Sequence, residues 1–243
     1  MPRFFVSKNE IHDSFMVLTG ENAAHAKVLR LKNGDEVTVC DGEGSDYRCT
    51  VSDTAPGQIS LVVHAVCAAQ SEAAVSCSIY MAFAKSDKFE HVIQKATELG
   101  ASELICFPSA RCVSRPDEKS LLKKLERWQK IAASAAEQSR RGVIPRVIAL
   151  SSYSEALERA AKADLAVCFY ENENHRTFRS AIEAGPIRSA ALLTGPEGGF
   201  EPEEIRQAED AGLAICTLGK RILRCETAPL CALSALMYAA GEF

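Results

Sequence analysis

Hydrophobic and polar positions repeat in two different ways along the chain, and the change of period divides it. Over roughly the first seventy residues the apolar runs are short and either alternating or β-branched: RFFV, MVLTG, EVTVCDG, DYRCTVSD and QISLVVHAV. Turn signals such as Asn33-Gly34 and Pro56-Gly57 separate them, which is the pattern of strands joined by tight turns. One helical insert over 21–29 interrupts the series. Five or six strands at this spacing suggest a small barrel. The strand pattern fades around CAAQSEAA, so a barrel domain is expected over residues 1–70 and a second domain over 71–243.

From Val75 onward strand and helix alternate. SCSIYMAF reads as a strand, and KFEHVIQKATELG places Phe89, Val92, Ile93, Ala96 and Leu99 on one helical stripe that ends at Gly100. ELICFP predicts the next strand and 120–140 a long helix. Further strands are expected at VIAL, LAVCFY, AALLTG and AICTLG, with helices over 154–163, 178–184, 202–212 and 230–240 between or after them. Such alternation predicts a largely parallel sheet covered by helices on both faces. Ligands of such sheets bind at the carboxyl ends of the strands.

Composition narrows the class. With 243 residues, 47% hydrophobic and 25% charged, the chain is ordinary globular material with enough length for two modest cores. The first residues, MPRFFVSKNEIHDS, lack a basic region followed by an apolar run, and no uncharged run reaches the eighteen or so residues of a membrane span, so a cytoplasmic protein with no membrane contact is expected. Ten cysteines are scattered through apolar runs without any CxxC pair, which predicts reduced core cysteines and no metal site.

The net charge of −4 argues against nucleic-acid binding by the whole surface. It is unevenly spread, however. Between Lys85 and Arg146 thirteen Lys and Arg stand against eight Asp and Glu, leaving the rest of the chain with fifteen against twenty-four. A polarised acidic protein can still steer a polyanion to one face, although a solvated basic helix gives the same count.

The candidate chemistry lies in LTGPEGGFEPEE. Gly195, Gly198 and Gly199 follow a buried strand and precede a helix opened by Pro202, so backbone can come close to a ligand there. A second loop follows AICTLG and runs through Gly219 into KRILRCETAPL. Phosphate fits badly, because the GK[ST] ending of a phosphate loop is missing and the following helix start is acidic. A neutral or cationic ligand suits the pair better. S-adenosylmethionine, whose sulfonium is positive, has that description; tight turns without a ligand are the alternative.

LTGPEGGFEPEEI with LGKRILRCETAPLCALSALMY resembles the paired C-terminal motifs of the RsmE family, the 16S ribosomal RNA uridine N3-methyltransferases of the SPOUT superfamily. KFEHVIQKATELG, Arg111-Cys112, KKLERWQKIAASAAEQSRRGVIP and HAKVLRLKNGD extend the likeness over nearly the whole chain. The resemblance implies a PUA-like β-barrel that helps to bind RNA, an α/β methyltransferase domain with a trefoil knot, and a homodimer. It implies an adenosylmethionine pocket made, largely through backbone, by Tyr170 and Glu171, by Thr194, Gly195, Glu197, Gly198 and Gly199, and by Leu218, Gly219, Ile222 and Leu223. The family favours Thr or another small residue where this chain has Cys225.

Methylation of uridine N3 is hindered by the N3 proton, whose pKa lies well above neutral, so the site needs a base or a cation that stabilises the uridinate. Arg221 and Arg224 are the candidate cations. Glu226 is a base, a partner for one of those arginines, or the opening of the final helix. Glu197 is equally open to a turn-forming or interface role, and His25 is structural or RNA-facing. The candidate RNA contacts are Arg30 and Lys32 from the barrel with Lys85, Lys88, Lys95, Arg111, Lys123, Lys124, Arg140 and Arg141. Trp128, with Leu121 and Leu125, is expected in helix core. The expected partner is 16S ribosomal RNA within the small subunit. The alternatives are methylation of a ribose 2′-hydroxyl or another RNA, and an RNA-binding assembly factor without turnover.

Overall fold

The computed structural model describes residues 1–12, 14–85 and 87–243. Contacts divide the chain into Met1–Glu72 with Ala136–Ile144, and Ala73–Ala135 with Pro145–Phe243.

The first unit is a curled five-stranded mixed sheet in the order β1-β3-β4-β5-β2. Its strands are β1 (Arg3–Phe5), β2 (Phe15–Thr19), β3 (Glu36–Cys40), β4 (Ser45–Ala55) and β5 (Gln58–Ala68). Only β1 and β3 run parallel. Pro56-Gly57 closes the long β4–β5 hairpin, Pro fixing φ at the first central position and Gly57 taking a φ of +81° at the second. Helix α1 (Gly20–Val28) packs on β2 and β5. The inward positions of these strands, among them Phe4, Met16, Leu18, Val37, Val39, Val51 and Leu61, form one core. A one-turn helix at Lys8–Glu10 was not legible in the sequence pattern, since three polar residues carry no period.

In the second unit, six strands form an all-parallel sheet in the order β11-β9-β10-β6-β7-β8. They are β6 (Ser76–Ala82), β7 (Glu103–Phe107), β8 (Arg146–Ala149), β9 (Leu165–Phe169), β10 (Ser189–Thr194) and β11 (Ala214–Cys216). Every residue of β10 after Ser189 is buried, as a central parallel strand requires. The helices are α2 (Lys88–Glu98), α3 (Glu118–Gln138), α4 (Tyr153–Ala160), α5 (Phe178–Ile182), α6 (Pro202–Asp210) and α7 (Thr227–Ala239). In α2 the expected stripe is inside: Phe89, Val92, Ile93 and Ala96 are buried, each large apolar side chain adding about 1.5–3 kcal/mol. Trp128 is also core, meeting Phe89 edge-on with ring centres 4.9 Å apart.

Two helix starts differ from expectation by more than one residue, for local reasons. Helix α3 begins at Glu118 because Asp117 caps it, accepting the Ser120 amide at 2.9 Å. Helix α7 begins three residues before Leu230 because Pro229 falls in its first turn, where no amide hydrogen is required. All ten cysteines are free, and eight are buried. Among the described residues no helix is long and apolar enough to cross a membrane.

Candidate active site

Strands β11, β9, β10 and β6 are neighbours and parallel, so the loops at their carboxyl ends share one edge of the sheet. There they enclose a cleft of about 440 Å³, the size of a small-molecule site. Residues 169–171 after β9, 194–200 after β10 and 217–225 after β11 make its walls. Tyr170 and Glu171, all of Thr194, Gly195, Glu197, Gly198 and Gly199, and Leu218, Gly219, Ile222 and Leu223 border it. Arg221 and Arg224 border it too, whereas Glu226 does not.

The loop after β10 is tightly held. Gly199 sits at φ +68° and its amide donates to Pro196 O at 3.0 Å. A Cβ there would lie 2.3 Å from Glu171 Oε1, so glycine is needed on both counts. Arg111 donates from Nη1 to Gly198 O at 2.9 Å and from Nε to Glu201 Oε1 at 2.8 Å. Glu197 Oε1 accepts the Lys85 amide at 3.0 Å. The Thr194 hydroxyl is turned inward and donates to Tyr80 O at 3.3 Å, leaving backbone to face the cleft.

The loop after β11 is built otherwise. Thr217 Oγ1 accepts the Gly219 amide at 3.2 Å, and Arg224 O accepts the amides of Thr227 and Ala228 as α7 begins. Between them the amides of Leu218, Ile222 and Leu223 meet no acceptor among the described residues. Ile222 is 84% exposed. Nor do Arg221 or Arg224 pair with a carboxylate among the described residues.

Lys88, expected in the RNA-contacting pool, is a wall of the cleft. Its ammonium lies 3.1 Å from Glu226 Oε2 and 3.6 Å from Glu197 Oε1. The hydrogen bond to Glu226 raises the pKa of Lys88. At Glu226 burial opposes ionisation, but its own backbone amide and Lys88 outweigh burial and hold the carboxyl below the usual range. Glu197 is likewise lowered: burial is overcome by the amides of Lys85 and Glu197 and by Lys88. Burial pushes the Cys225 thiol up to about 11, so it remains protonated and donates to Glu226 Oε2 at 3.2 Å. The signal for Lys88 was available, because α2 follows β6, a fourth strand whose carboxyl end reaches this edge.

The other basic residues separate into kinds. Arg141 is a correction: it is 4% exposed, and its guanidinium is bound to Glu72 at 2.6 Å, so it does not face a polyanion. Burying a charge next to a carboxylate is a structural use of arginine. Arg111 gives Nη1 to the glycine loop and Nε to Glu201, as described above. Arg30, Lys32, Lys85 and Arg140 are exposed. His25 is paired with Glu137 at 2.9 Å within the first unit.

The residues present fit a ligand with an adenine and an amino-acid end. The unused amides of Leu218, Ile222 and Leu223 supply donors for a heterocycle, Gly195, Gly198 and Gly199 let backbone line the cleft, and Glu171 and Glu197 favour positive charge nearby.

Comparison with known proteins agrees with this chemistry. Residues 71–237 match the RNA methyltransferase domain, and residues 18–63 match the RNA methyltransferase PUA domain. The ribosomal RNA small subunit methyltransferase E of Bacillus subtilis (strain 168) is 36% identical over 98% of this chain and 96% of its own length. The same-named enzyme of Neisseria gonorrhoeae, solved bound to S-adenosyl methionine, superposes with a TM-score of 0.85 at 29% identity, over 97% of this chain and 96% of that one. A putative methyltransferase from Legionella pneumophila, in complex with the same cofactor, gives 0.85 at 29% identity, over 98% and 97%. This chain belongs to the ribosomal RNA small subunit methyltransferase E family.

Proposed function

We propose that the chain transfers a methyl group from S-adenosylmethionine to N3 of one uridine in 16S ribosomal RNA, as a cytoplasmic homodimer acting on the small subunit. The observation that carries this reading is the meeting, in one cleft, of a glycine-walled pocket with two arginines that no carboxylate among the described residues claims. The amides of Leu218, Ile222 and Leu223 would hold the adenine end, and the 194–199 backbone would lie along the rest of the cofactor. Bound there, adenosylmethionine supplies an electrophilic methyl group.

Residues of the chain then have to position uridine and manage its proton. Arg224 and Arg221 donate to O2 or O4 of the base, drawing off the negative charge that builds as the N3 proton leaves to water. Glu226 is held ionised with a lowered pKa, which makes it a weak base and favours its role as a partner of Lys88. Positioning supplies much of the remaining rate. The homodimer is supported by α7, whose sequence TAPLCALSALMYA is apolar while Tyr238 on it is 74% exposed. Sedimentation at micromolar concentration should show twice the 26.3 kDa chain mass.

The deciding experiment is nucleoside mass spectrometry of small-subunit ribosomal RNA from cells with and without the gene. Loss of N3-methyluridine at a single site is the expected result. Loss of a ribose-methylated nucleoside would move the chemistry to a 2′-hydroxyl, and persistence of every modification would leave RNA binding without turnover.

A further inference from the structure

Three loops at the carboxyl edge of the parallel sheet converge on one side chain. Lys88 stands in the first turn of α2, after β6, and its Nζ lies 3.1 Å from Glu226 Oε2, 3.6 Å from Glu197 Oε1 and 3.5 Å from Cys225 Sγ. Glu197 belongs to the loop after β10, and Cys225 with Glu226 precedes α7. The side chains of Lys88, Glu197 and Glu226 are only about a quarter exposed. A lysine that waits for phosphate keeps its ammonium in water on a flexible stem, and Lys85 is exposed in that way. Lys88 has exchanged that freedom for three partners.

The charges explain why the exchange matters. Two carboxylates flank one ammonium, and without it they would face each other across a half-buried gap. Repulsion would then separate the loop after β10 from the start of α7, two walls of the same cleft. Lys85 adds a second tie from the same stretch of chain, its amide reaching Glu197 Oε1 at 3.0 Å. We infer that Lys88 is a positioning residue of the methyltransferase site, which sets the width of the cleft by joining Glu197 to Glu226 and makes no contact with RNA phosphate.

The inference rests on the proposed reaction, and its test separates the two. In the full-length protein, Lys88→Met should weaken adenosylmethionine binding about tenfold by titration calorimetry, while KM for ribosomal RNA and its salt dependence stay at the parent values. Lys88→Arg, which keeps the charge, should remain within about threefold. Lys88→Met with Glu226→Gln, which removes the unpaired carboxylate, should recover part of the lost affinity, an outcome that general loosening of the fold would not give. Each variant should melt within a few degrees of the parent; where Lys88→Met does not, Lys88→Gln takes its place with the same expectations. Parent-like cofactor affinity in the Met variant, or a salt slope of RNA binding reduced by about one unit as loss of a phosphate contact requires, would overturn the inference. A parent protein that binds no adenosylmethionine would overturn the proposed reaction itself.

Discussion

The loops after β10 and β11 face each other across one cleft, yet they are held in opposite ways. In the first, Arg111 grips Gly198 O and Glu201, Lys85 and Lys88 grip Glu197, and Gly199 fits against Glu171 with no room for a Cβ. In the second, a Thr217–Gly219 turn and the entry into α7 are the fixed points, and the amides between them meet no partner among the described residues. One wall is complete before any ligand arrives; the other has donors that a ligand completes. Affinity gained through preorganisation should therefore trace to the first wall, and turnover to the second.

The largest effect expected from this contrast lies at Arg224. Arg224→Ala removes the proposed transition-state donor from the second wall, so kcat should fall about 100-fold or more, the usual loss for one such donor. Cofactor affinity should stay within about threefold by calorimetry. A parallel loss of affinity would mean that Arg224 holds the cofactor, and would dissolve the division between the walls.

Glycines give the next largest effect and the sharpest contrast. Gly199→Ala meets Glu171 Oε1 at 2.3 Å and must also hold a φ of +68°, which costs an L-residue about 1–2 kcal/mol. Cofactor Kd should rise about tenfold, since each 1.4 kcal/mol is a factor of ten. Gly219 also has a positive φ, +108°, but nothing lies within 4 Å of a Cβ placed there. Its loop can relax around an alanine, and Gly219→Ala should change Kd by less than about threefold. Equal losses at both positions would show the second wall to be as rigid as the first.

How much of this was legible in the sequence depends on the range of the interaction. The stripe of α2 and the buried run of β10 follow from period alone, because burial of one face is a local property of the pattern. Both glycine loops were legible for the same reason: each stands between an apolar run and a helix start. The strand order β11-β9-β10-β6-β7-β8 was not legible, since pairings between strands a hundred residues apart leave no local trace. Arg141 shows the limit for charge. It adjoins exposed Arg140 in sequence, and only its partner Glu72, sixty-nine residues away, reveals that it is buried. The place of Lys88 at this edge could be read from the strand it follows, but its carboxylate partners, both more than a hundred residues distant, could not.

A smaller effect should appear with pH, and again on the first wall. Glu197 carries a lowered pKa, so its contribution is present above the ordinary carboxyl value of 4.5 and is lost as pH falls through the lower folded value. Cofactor affinity should be flat above about pH 5 and decline below 4.5, in step with protonation of Glu197. Glu197→Gln keeps the hydrogen-bond acceptor for Lys85 but not the charge for Lys88. It should start from a lower affinity and show less of that decline, measured by calorimetry between pH 4 and 6. An unchanged profile in the Gln variant would place the titration elsewhere.

The smallest effect is expected where the second wall joins α7. Cys225 is 8% exposed, with its thiol between Lys88 Nζ and Glu226 Oε2. Burial lifts its pKa to about 11, so at neutral pH it is a thiol and a hydrogen-bond donor, with almost no nucleophilic thiolate. A hydroxyl can make both contacts, and Cys225→Ser should change kcat/KM by no more than about threefold, since one neutral hydrogen bond is worth about 0.5–1.5 kcal/mol and is here replaced in kind. Cys67 and Cys231 are exposed, so iodoacetamide at pH 7.5 should label them first and leave Cys225 unmodified by peptide mass spectrometry. Early labelling of Cys225 would mean that this end of the second wall opens in solution, as the run of unpaired amides between residues 218 and 223 can.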